Sequence, residues 1–150
     1  MAFIEIRGET LRLGIFMKLL ELFPSAAIYD EALTDAEYPH FFIYVAGMGI
    51  EEDNFGRRFL NFLVDITYRE TERPEMESDA QNKLDGVGLE MLEKFESFER
   101  EGEIFRVRDA RAEKADGALH FLFSVRRRVR KASPHVDKQM ILYEKSDMTQ

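Results

Sequence analysis

The chain has 150 residues, of which 45% are apolar and 33% charged, with 13 Phe, no Trp and a formal net charge of -8. A domain of this length can bury about 68–70% of the surface that its unfolded chain exposes, so it needs no disulfide or metal to fold. The absence of cysteine excludes disulfides and thiolate metal sites, and the net negative charge argues against a general nucleic-acid-binding protein.

The first residues of the chain do not resemble a signal peptide. Glu5 stands where such a peptide carries positive charge, and Arg12 and Lys18 soon interrupt the apolar positions. No segment approaches the roughly 20 uninterrupted apolar residues that a membrane-spanning helix needs. We therefore expect a soluble, intracellular protein without a membrane partner.

Apolar residues recur at intervals near 3.6 between residues 3 and 23, which predicts an amphipathic helix. Pro24 ends this helix, because proline lacks an N–H and restricts the residue before it. Residues 26–29 are predicted to form a short strand, followed by a polar loop.

The clearest strands lie at residues 41–46, a β-branched and aromatic run, and at residues 58–68, which alternate strictly. Residues 47–56 between them begin and end with glycine and are longer than a usual hairpin loop. The sequence therefore predicts a long loop that is a candidate for binding. Its candidate interaction residues are Met48, Ile50, Glu51, Glu52, Asp53, Asn54 and Phe55.

A second helix is predicted to begin near Ser78, whose spacing to Gln81 is that of a capping box, and to end near Gly102. Residues 104–108 and 119–129 then read as the two strands of a hairpin. The Asp116-Gly117 pair between them suits a turn that needs positive φ. The predicted apolar stripe of the helix is Leu84, Val87, Met91, Phe95 and Phe98.

The order of these elements predicts an α+β fold, with a mostly antiparallel sheet of four to five strands and two helices packed on one face. Residues 1–132 are predicted to form a single domain. Residues 133–150 are predicted to be a partly mobile C-terminal extension, whose apolar patch at residues 140–143 either docks on another surface or stays mobile.

The chain shows no constellation of residues typical of catalysis. His40, His120 and His135 have none of the spacings of zinc sites, and neither a phosphate-binding GxxxxGK[ST] loop nor a GxGxxG dinucleotide motif is present. Pairs of carboxylates are abundant, but they arise by chance in a chain with 29 acidic residues. We therefore predict no enzyme activity, no cofactor and no metal site.

The two signs of charge are segregated along the chain. Residues 70–103 contain 12 acidic and 4 basic side chains, whereas residues 104–131 contain 3 acidic and 9 basic ones. Because side chains alternate along a strand, Arg126, Arg128 and Arg130 should project together from one face. Three roles are open for this row: facing DNA in a pore, pairing with acidic residues of a neighbouring subunit, or protecting an exposed strand against unwanted edge pairing.

Several short motifs follow one another in a characteristic order between residues 3 and 131. They are Phe23-Pro24, Ile28-Tyr29-Asp30-Glu31, Tyr38-Pro39-His40-Phe41-Phe42-Ile43, Gly56-Arg57-Arg58-Phe59, Gly117-Ala118-Leu119-His120-Phe121 and Val129-Arg130-Lys131. Together with the acidic helix, this order resembles the phage tail terminator family of phages and prophages of Gram-positive bacteria.

That resemblance implies a structural subunit that is assembled in the host cytoplasm and carried in the virion tail. It implies a homo-oligomeric ring, usually a hexamer, that caps the tail tube protein and meets the head connector proteins. Under this resemblance, residues 47–56 lie at an axial surface. The arginine row lies at the ring interface or in the lumen, where it would contact DNA non-specifically.

Two other classes of function remain open. A small module could bind a peptide or protein through an exposed sheet edge, and a defined monomer would favour that class. A divalent-metal enzyme could use Asp30, Glu31 and Asp65 on neighbouring strands, and it would require measurable Mg²⁺ or Mn²⁺ binding.

Overall fold

The structure, a computed structural model, describes residues 8–30 and 35–129 and shows an α+β fold, as predicted. Two helices, α1 (Gly8–Leu22) and α2 (Ala80–Lys94), accompany seven strands. The strands are β1 (Ala27–Tyr29), β2 (His40–Glu52), β3 (Arg58–Arg69), β4 (Ser97–Arg100), β5 (Glu103–Arg106), β6 (Arg108–Ala115) and β7 (Ala118–Val129). Glu31, Arg130 and the predicted C-terminal extension lie outside the described residues.

Five of the strands form one sheet in the order β1-β2-β3-β7-β6. Only the β1–β2 pair is parallel, and the three other pairs are antiparallel. Strands β4 and β5 pair with each other in a separate two-stranded sheet. The prediction of a mostly antiparallel sheet is therefore confirmed.

One face of the large sheet carries the hydrophobic core. Strand β3 buries alternate side chains, because successive side chains of a strand point to opposite faces of the sheet and every second residue from Leu60 to Tyr68 is apolar. Strand β7 does the same with Leu119, Phe121 and Phe123. Both helices contribute to the same core, through Leu11, Ile15 and Leu19 of α1 and through Leu84 and Met91 of α2. The core residues of β3 are Leu60, Phe62, Val64, Ile66 and Tyr68.

The predicted C-terminal end of the second helix is wrong. Helix α2 stops at Lys94, because Phe95 leaves the helical conformation, and residues 97–106 turn back as the β4–β5 hairpin. The two turn residues of this hairpin, Glu101 and Gly102, both have positive φ, as a tight hairpin turn requires. Phe98 belongs to this hairpin and stacks on Phe105 at 5.2 Å between ring centroids.

The start of α2 and the pairing of the next segment also differ from the predictions. The N-cap of α2 is Asp79, without a side-chain capping hydrogen bond, so the capping box at Ser78 is not formed. Residues 103–106 pair with β4, and β6 is the strand that pairs with β7. The turn between β6 and β7 is as predicted, with positive φ at Asp116 and Gly117.

The prediction of a long loop at residues 47–56 is wrong. Strand β2 continues to Glu52 and stays paired with β3, so only residues 53–57 connect the two strands. A register shift between Val45 and Gly47 inserts a bulge into β2, and Gly47 and Gly49 interrupt the alternation of side chains that marks a strand in the sequence. The candidate loop residues Met48, Ile50, Glu51 and Glu52 are therefore strand residues.

Candidate assembly surface

Three strands extend beyond the rest of the sheet. Strand β1 pairs with β2 only at residues 40–42, and β6 pairs with β7 only as far as Ser124. We call the remaining part of the sheet the projection: residues 48–52 of β2, 58–62 of β3 and 125–129 of β7. Within the described part of the chain, no strand pairs with either outer edge of the projection.

The turn at the end of the projection is held by Asp53. Its Oδ1 atom accepts hydrogen bonds from the backbone N–H groups of Phe55 and Arg57, each at 2.9 Å, and its Oδ2 atom accepts one from the Arg57 Nε–H. Desolvation opposes these interactions, but the hydrogen bonds and the charge of Arg57 lower the pKa of Asp53 below its ordinary value. The turn is thus fixed by one carboxylate, with Phe55 84% exposed at its tip.

The helix-side face of the projection exposes apolar side chains. Met48 pairs across the sheet with Phe62, and Ile50 pairs with Leu60, so all four side chains share the face that carries the core. Phe62 and Leu60 are buried, whereas Met48 and Ile50 are 69% and 49% exposed. The helix layer therefore ends before it covers this part of β2.

The opposite face carries two of the predicted arginines. Arg126 pairs with Asn61 and Arg128 with Phe59, so the two side chains share one face, as predicted, and this face has no helices. The Arg126 guanidinium lies 4.2 Å from the centre of the Phe59 ring, and its Nη1 atom lies 3.7 Å from Glu51 Oε1. Arg127 points to the helix side, where it forms an ion pair with Glu103.

The two edges of the projection have opposite charge. Strand β2 ends in Glu51 and Glu52, and β7 carries three consecutive arginines at residues 126–128. Cross-strand register places Glu51 opposite Phe59, which is in turn opposite Arg128, so the acidic and basic residues lie at the same height along the strands. The structure thus brings together two groups of candidate residues that the sequence analysis treated separately.

Sequence reasoning missed an apolar groove between α1 and the β4–β5 hairpin. The groove has a volume of about 470 Å³, and its lining includes Gly14, Met17, Phe98 and Ile104. Met17 and Ile104 are exposed. The available signal was in α1 itself, whose apolar residues extend beyond the single stripe of an amphipathic helix to positions such as Leu13 and Leu20.

Polar side chains gather on the helix-free face of the sheet, but their geometry is not that of a catalytic relay. His120 Nδ1 lies 3.1 Å from Asp65 Oδ2 and 3.3 Å from Thr67 Oγ1. A relay requires the carboxylate on one ring nitrogen and the nucleophile on the other, whereas here the same nitrogen faces both groups. The cluster is therefore a polar contact between β3 and β7.

The proposed carboxylate set for a divalent metal is not assembled in the described part of the chain. Asp65 lies on β3 and Asp30 follows β1, with β2 between these two strands. Glu31 lies outside the described residues. Residues 8–30 and 35–129 contain no group of three or more His, Asp or Glu side chains that could hold a metal ion.

Among the residues that the structure describes, no helix combines the length and the apolar character needed to span a membrane.

Comparison with known proteins identifies the family of the chain. No curated protein matches it. Ten chains of solved structures do match. One of them, a protein whose name states no function, is 11% identical and aligns over 85% of this chain and 99% of its own length with a TM-score of 0.36. That likeness supports no functional argument. The model of a family described as phage tail terminator protein matches residues 10–137, most of the chain. The chain therefore belongs to the phage tail terminator family.

Proposed function

We propose that this chain assembles with copies of itself into a closed ring, a hexamer, that caps the tail tube and contributes to joining the tail to the head. The ring is assembled in the cytoplasm of the host, a Gram-positive bacterium, and is carried in the virion tail. It acts as a structural part and not as an enzyme. The observation that carries this proposal is the projection, whose exposed apolar side chains and oppositely charged edges suit a contact with protein.

The apolar side chains of the projection favour a protein partner. Single exposed apolar residues are normal on a folded protein, but a group of them at one end of a sheet marks a surface for interaction. Met48, Ile50 and Phe55 form such a group on one strand end and its adjoining turn. A partner that covers these side chains removes their apolar area from water and thereby stabilises the complex.

The opposite charges favour a cyclic arrangement. A two-fold contact that joins one edge to the same edge of a second copy sets like charges against each other, whereas a head-to-tail contact joins the acidic edge of one copy to the basic edge of the next. Head-to-tail contacts close into a ring when the rotation between copies divides a full turn. In such a ring the turn at residues 53–57 faces along the axis, toward the tail tube protein or a head connector protein. The helix-free face with Arg126 and Arg128 faces the neighbour or the lumen and its DNA.

The first test is the solution mass, measured by light scattering over a concentration series at low and moderate salt. We expect a closed oligomer near six subunits that dissociates at lower protein concentration and as salt is raised, because salt screens charges that lie more than about 8–10 Å apart and exposed pairs most of all. A chain that stays monomeric at every concentration and at low salt would contradict self-assembly.

The second test is tube capping. Purified tail tube protein from the same phage is polymerised with and without this chain, and tube lengths are measured by electron microscopy. A ring that caps the tube end stops further addition of subunits, so we expect shorter tubes at increasing amounts of the chain. A heat-unfolded sample of the same chain is the control. Unchanged tube lengths would contradict the capping function while leaving ring formation intact.

One observation favours a second candidate, a module that binds an extended peptide. Within the described residues, the outer edge of β2 has no partner strand from residue 43 to residue 52. An unpaired edge of this length can accept a peptide as an additional strand. A stable monomer that binds an extended peptide, with protection of β2 backbone amides from hydrogen exchange, would support this candidate over the ring.

A further inference from the structure

We propose that the acidic edge of the projection in one copy binds the basic edge of the projection in the next, with Glu51 facing Arg126 and Arg128 on the helix-free face and Glu52 adding negative charge to the same edge. This inference rests on the proposed ring and names the surfaces that hold it together. It identifies the partner of the arginine row as a second copy of this chain.

The register supplies the first argument. Cross-strand pairs align Gly49 with Asn61 and Asn61 with Arg126, and they align Glu51 with Phe59 and Phe59 with Arg128. The acidic and basic residues thus lie at one height but on opposite edges of the sheet. In the proposed ring the turn at residues 53–57 faces along the axis, so the strands run along it and rotation leaves their height unchanged. Cyclic symmetry then brings the acidic edge of one copy level with the basic edge of the next.

The distance between edges within one copy supplies the second argument. Strand β3 separates β2 from β7, so the two edges are about 10 Å apart at the usual spacing of neighbouring strands. The Arg126 side chain crosses this distance above the Phe59 ring, and its Nη1 atom lies 3.7 Å from Glu51 Oε1, which is long for an ion pair with a hydrogen bond. Arg128 has no carboxylate within 4.0 Å among the described residues. Among the described residues, the two arginines are therefore incompletely paired.

The edges themselves supply the third argument. In the described part of the chain, the outer sides of residues 48–52 and 125–129 carry no strand partner. Side chains of adjacent edge strands come within reach of one another, and opposite charges across such a junction stabilise it. The part of the sheet outside the projection is two strands wider than the projection, since β1 and β6 pair with it there. Long Arg and Glu side chains suit the gap that this difference leaves between neighbouring projections.

The same features argue against DNA as the main partner of the row. A phosphate backbone that approached Arg126 would also approach Glu51, whose carboxylate lies 3.7 Å from Arg126 Nη1 and would repel it. A second copy instead presents its acidic edge, with Glu51 on the same face as the arginines, and offers its own arginines to the next copy. Both charged edges of each subunit then lie against an edge of opposite charge.

Complementary charge reversal tests this contact. One variant carries Glu51→Lys and Glu52→Lys, and a second carries Arg126→Glu and Arg128→Glu. Each variant alone places like charges at every junction, so we expect oligomer dissociation constants at least about tenfold higher than that of the wild type. An equimolar mixture restores opposite charges at every junction of a ring with an even number of subunits, so we expect it to reassemble with the two variants alternating.

A matched control keeps charge and folding effects apart from the contact. Glu72→Lys with Glu75→Lys changes two exposed acids away from the projection by the same charge, and this variant is expected to assemble like the wild type. Circular dichroism checks that every variant is folded. If the wild type forms rings and either edge variant alone assembles equally well, or if the mixture of folded monomeric variants fails to reassemble, the edge contact is wrong while the ring stands. A wild type that never assembles overturns the ring and this contact together.

Discussion

At the scale of single residues, the fold changes the chemistry of the Tyr68 hydroxyl. Its hydroxyl donates a hydrogen bond to Glu70 Oε1 at 2.6 Å, next to the buried end of β3. Burial and the negative charge of Glu70 raise the pKa of Tyr68 above the ordinary value of 10.0. The folded protein therefore holds the phenolic proton more tightly than the unfolded chain does.

This pKa shift predicts a loss of stability in alkaline solution. Below the ordinary tyrosine pKa both states are protonated and the contribution is fully present. At higher pH the unfolded chain binds fewer protons, so the free energy of unfolding falls as pH rises above about 10. We expect Tyr68→Phe to lower stability by about 1 kcal/mol at neutral pH and to flatten the decline above pH 10, measured by urea unfolding. The exposed Tyr44, changed to Phe, is the control, and an equal flattening there would refute the assignment.

Single residues also show where sequence reasoning succeeded. The Asp116-Gly117 turn was predictable, because few residue pairs suit positive φ at two successive positions, and both residues have it. The alternation of β3 was equally readable, since each core position is apolar and the intervening positions are mostly polar. The side chains of Arg126 and Arg128 lie on one face for the same reason.

At the scale of elements, the contact between α1 and the β4–β5 hairpin depends on the absence of a side chain at Gly14. A Cβ atom there would lie 2.8 Å from Phe98 Cδ2. The Phe98 ring is itself buried against Phe95, Phe105 and Phe123, so it cannot move aside without disturbing the core.

The same substitution in the two helices should therefore have opposite effects. We expect Gly14→Ala to lower the free energy of unfolding by about 1–3 kcal/mol, because it overpacks the α1–β4 contact. Gly86→Ala in α2 meets no atom within 4 Å, and it should raise stability by about 0.5–1 kcal/mol because alanine restricts the unfolded chain. Thermal or urea unfolding measures both, and two changes of the same sign would refute this account of α1.

The elements that were predicted wrongly are those whose residue pattern fits two kinds of secondary structure. The apolar spacing of Met91, Phe95 and Phe98 fits a continuing helix, but tertiary packing favours a hairpin that stacks Phe98 on Phe105. Glycines at positions 47 and 49 read as loop residues, although neighbouring β3 holds them in a strand. The position of the projection could not be predicted, because it depends on where β1 and β6 end and not on the strands that compose it.

At the scale of the whole molecule, the apolar face of the projection should matter for assembly and not for folding. Met48 and Ile50 are already exposed, so Met48→Ser with Ile50→Ser should change the free energy of unfolding by no more than about 1 kcal/mol. If a neighbouring subunit covers these side chains, the same variant should raise the oligomer dissociation constant by at least about tenfold. Light scattering and urea unfolding measure the two effects separately.

The matched control for this experiment is Met76→Ser with Leu89→Ser, which changes two similarly exposed apolar residues outside the projection. It should leave the dissociation constant unchanged. Equal weakening of assembly by the control would place the covered surface elsewhere, and unaltered assembly of the Met48 and Ile50 variant would remove this face from the interface.

The pairing of β3 with β7 at the centre of the sheet has a consequence for synthesis of the protein. These partners are separated by about 50 to 70 residues of chain, since Tyr68 pairs with Leu119 and Arg58 with Val129. At ribosomal rates of about 5–20 residues per second, that separation corresponds to roughly 3 to 14 seconds. During this time the nascent β2–β3 hairpin presents an uncovered strand edge. Translation speed and chaperone binding while residues 70–118 are synthesised should therefore govern the yield of correctly folded protein.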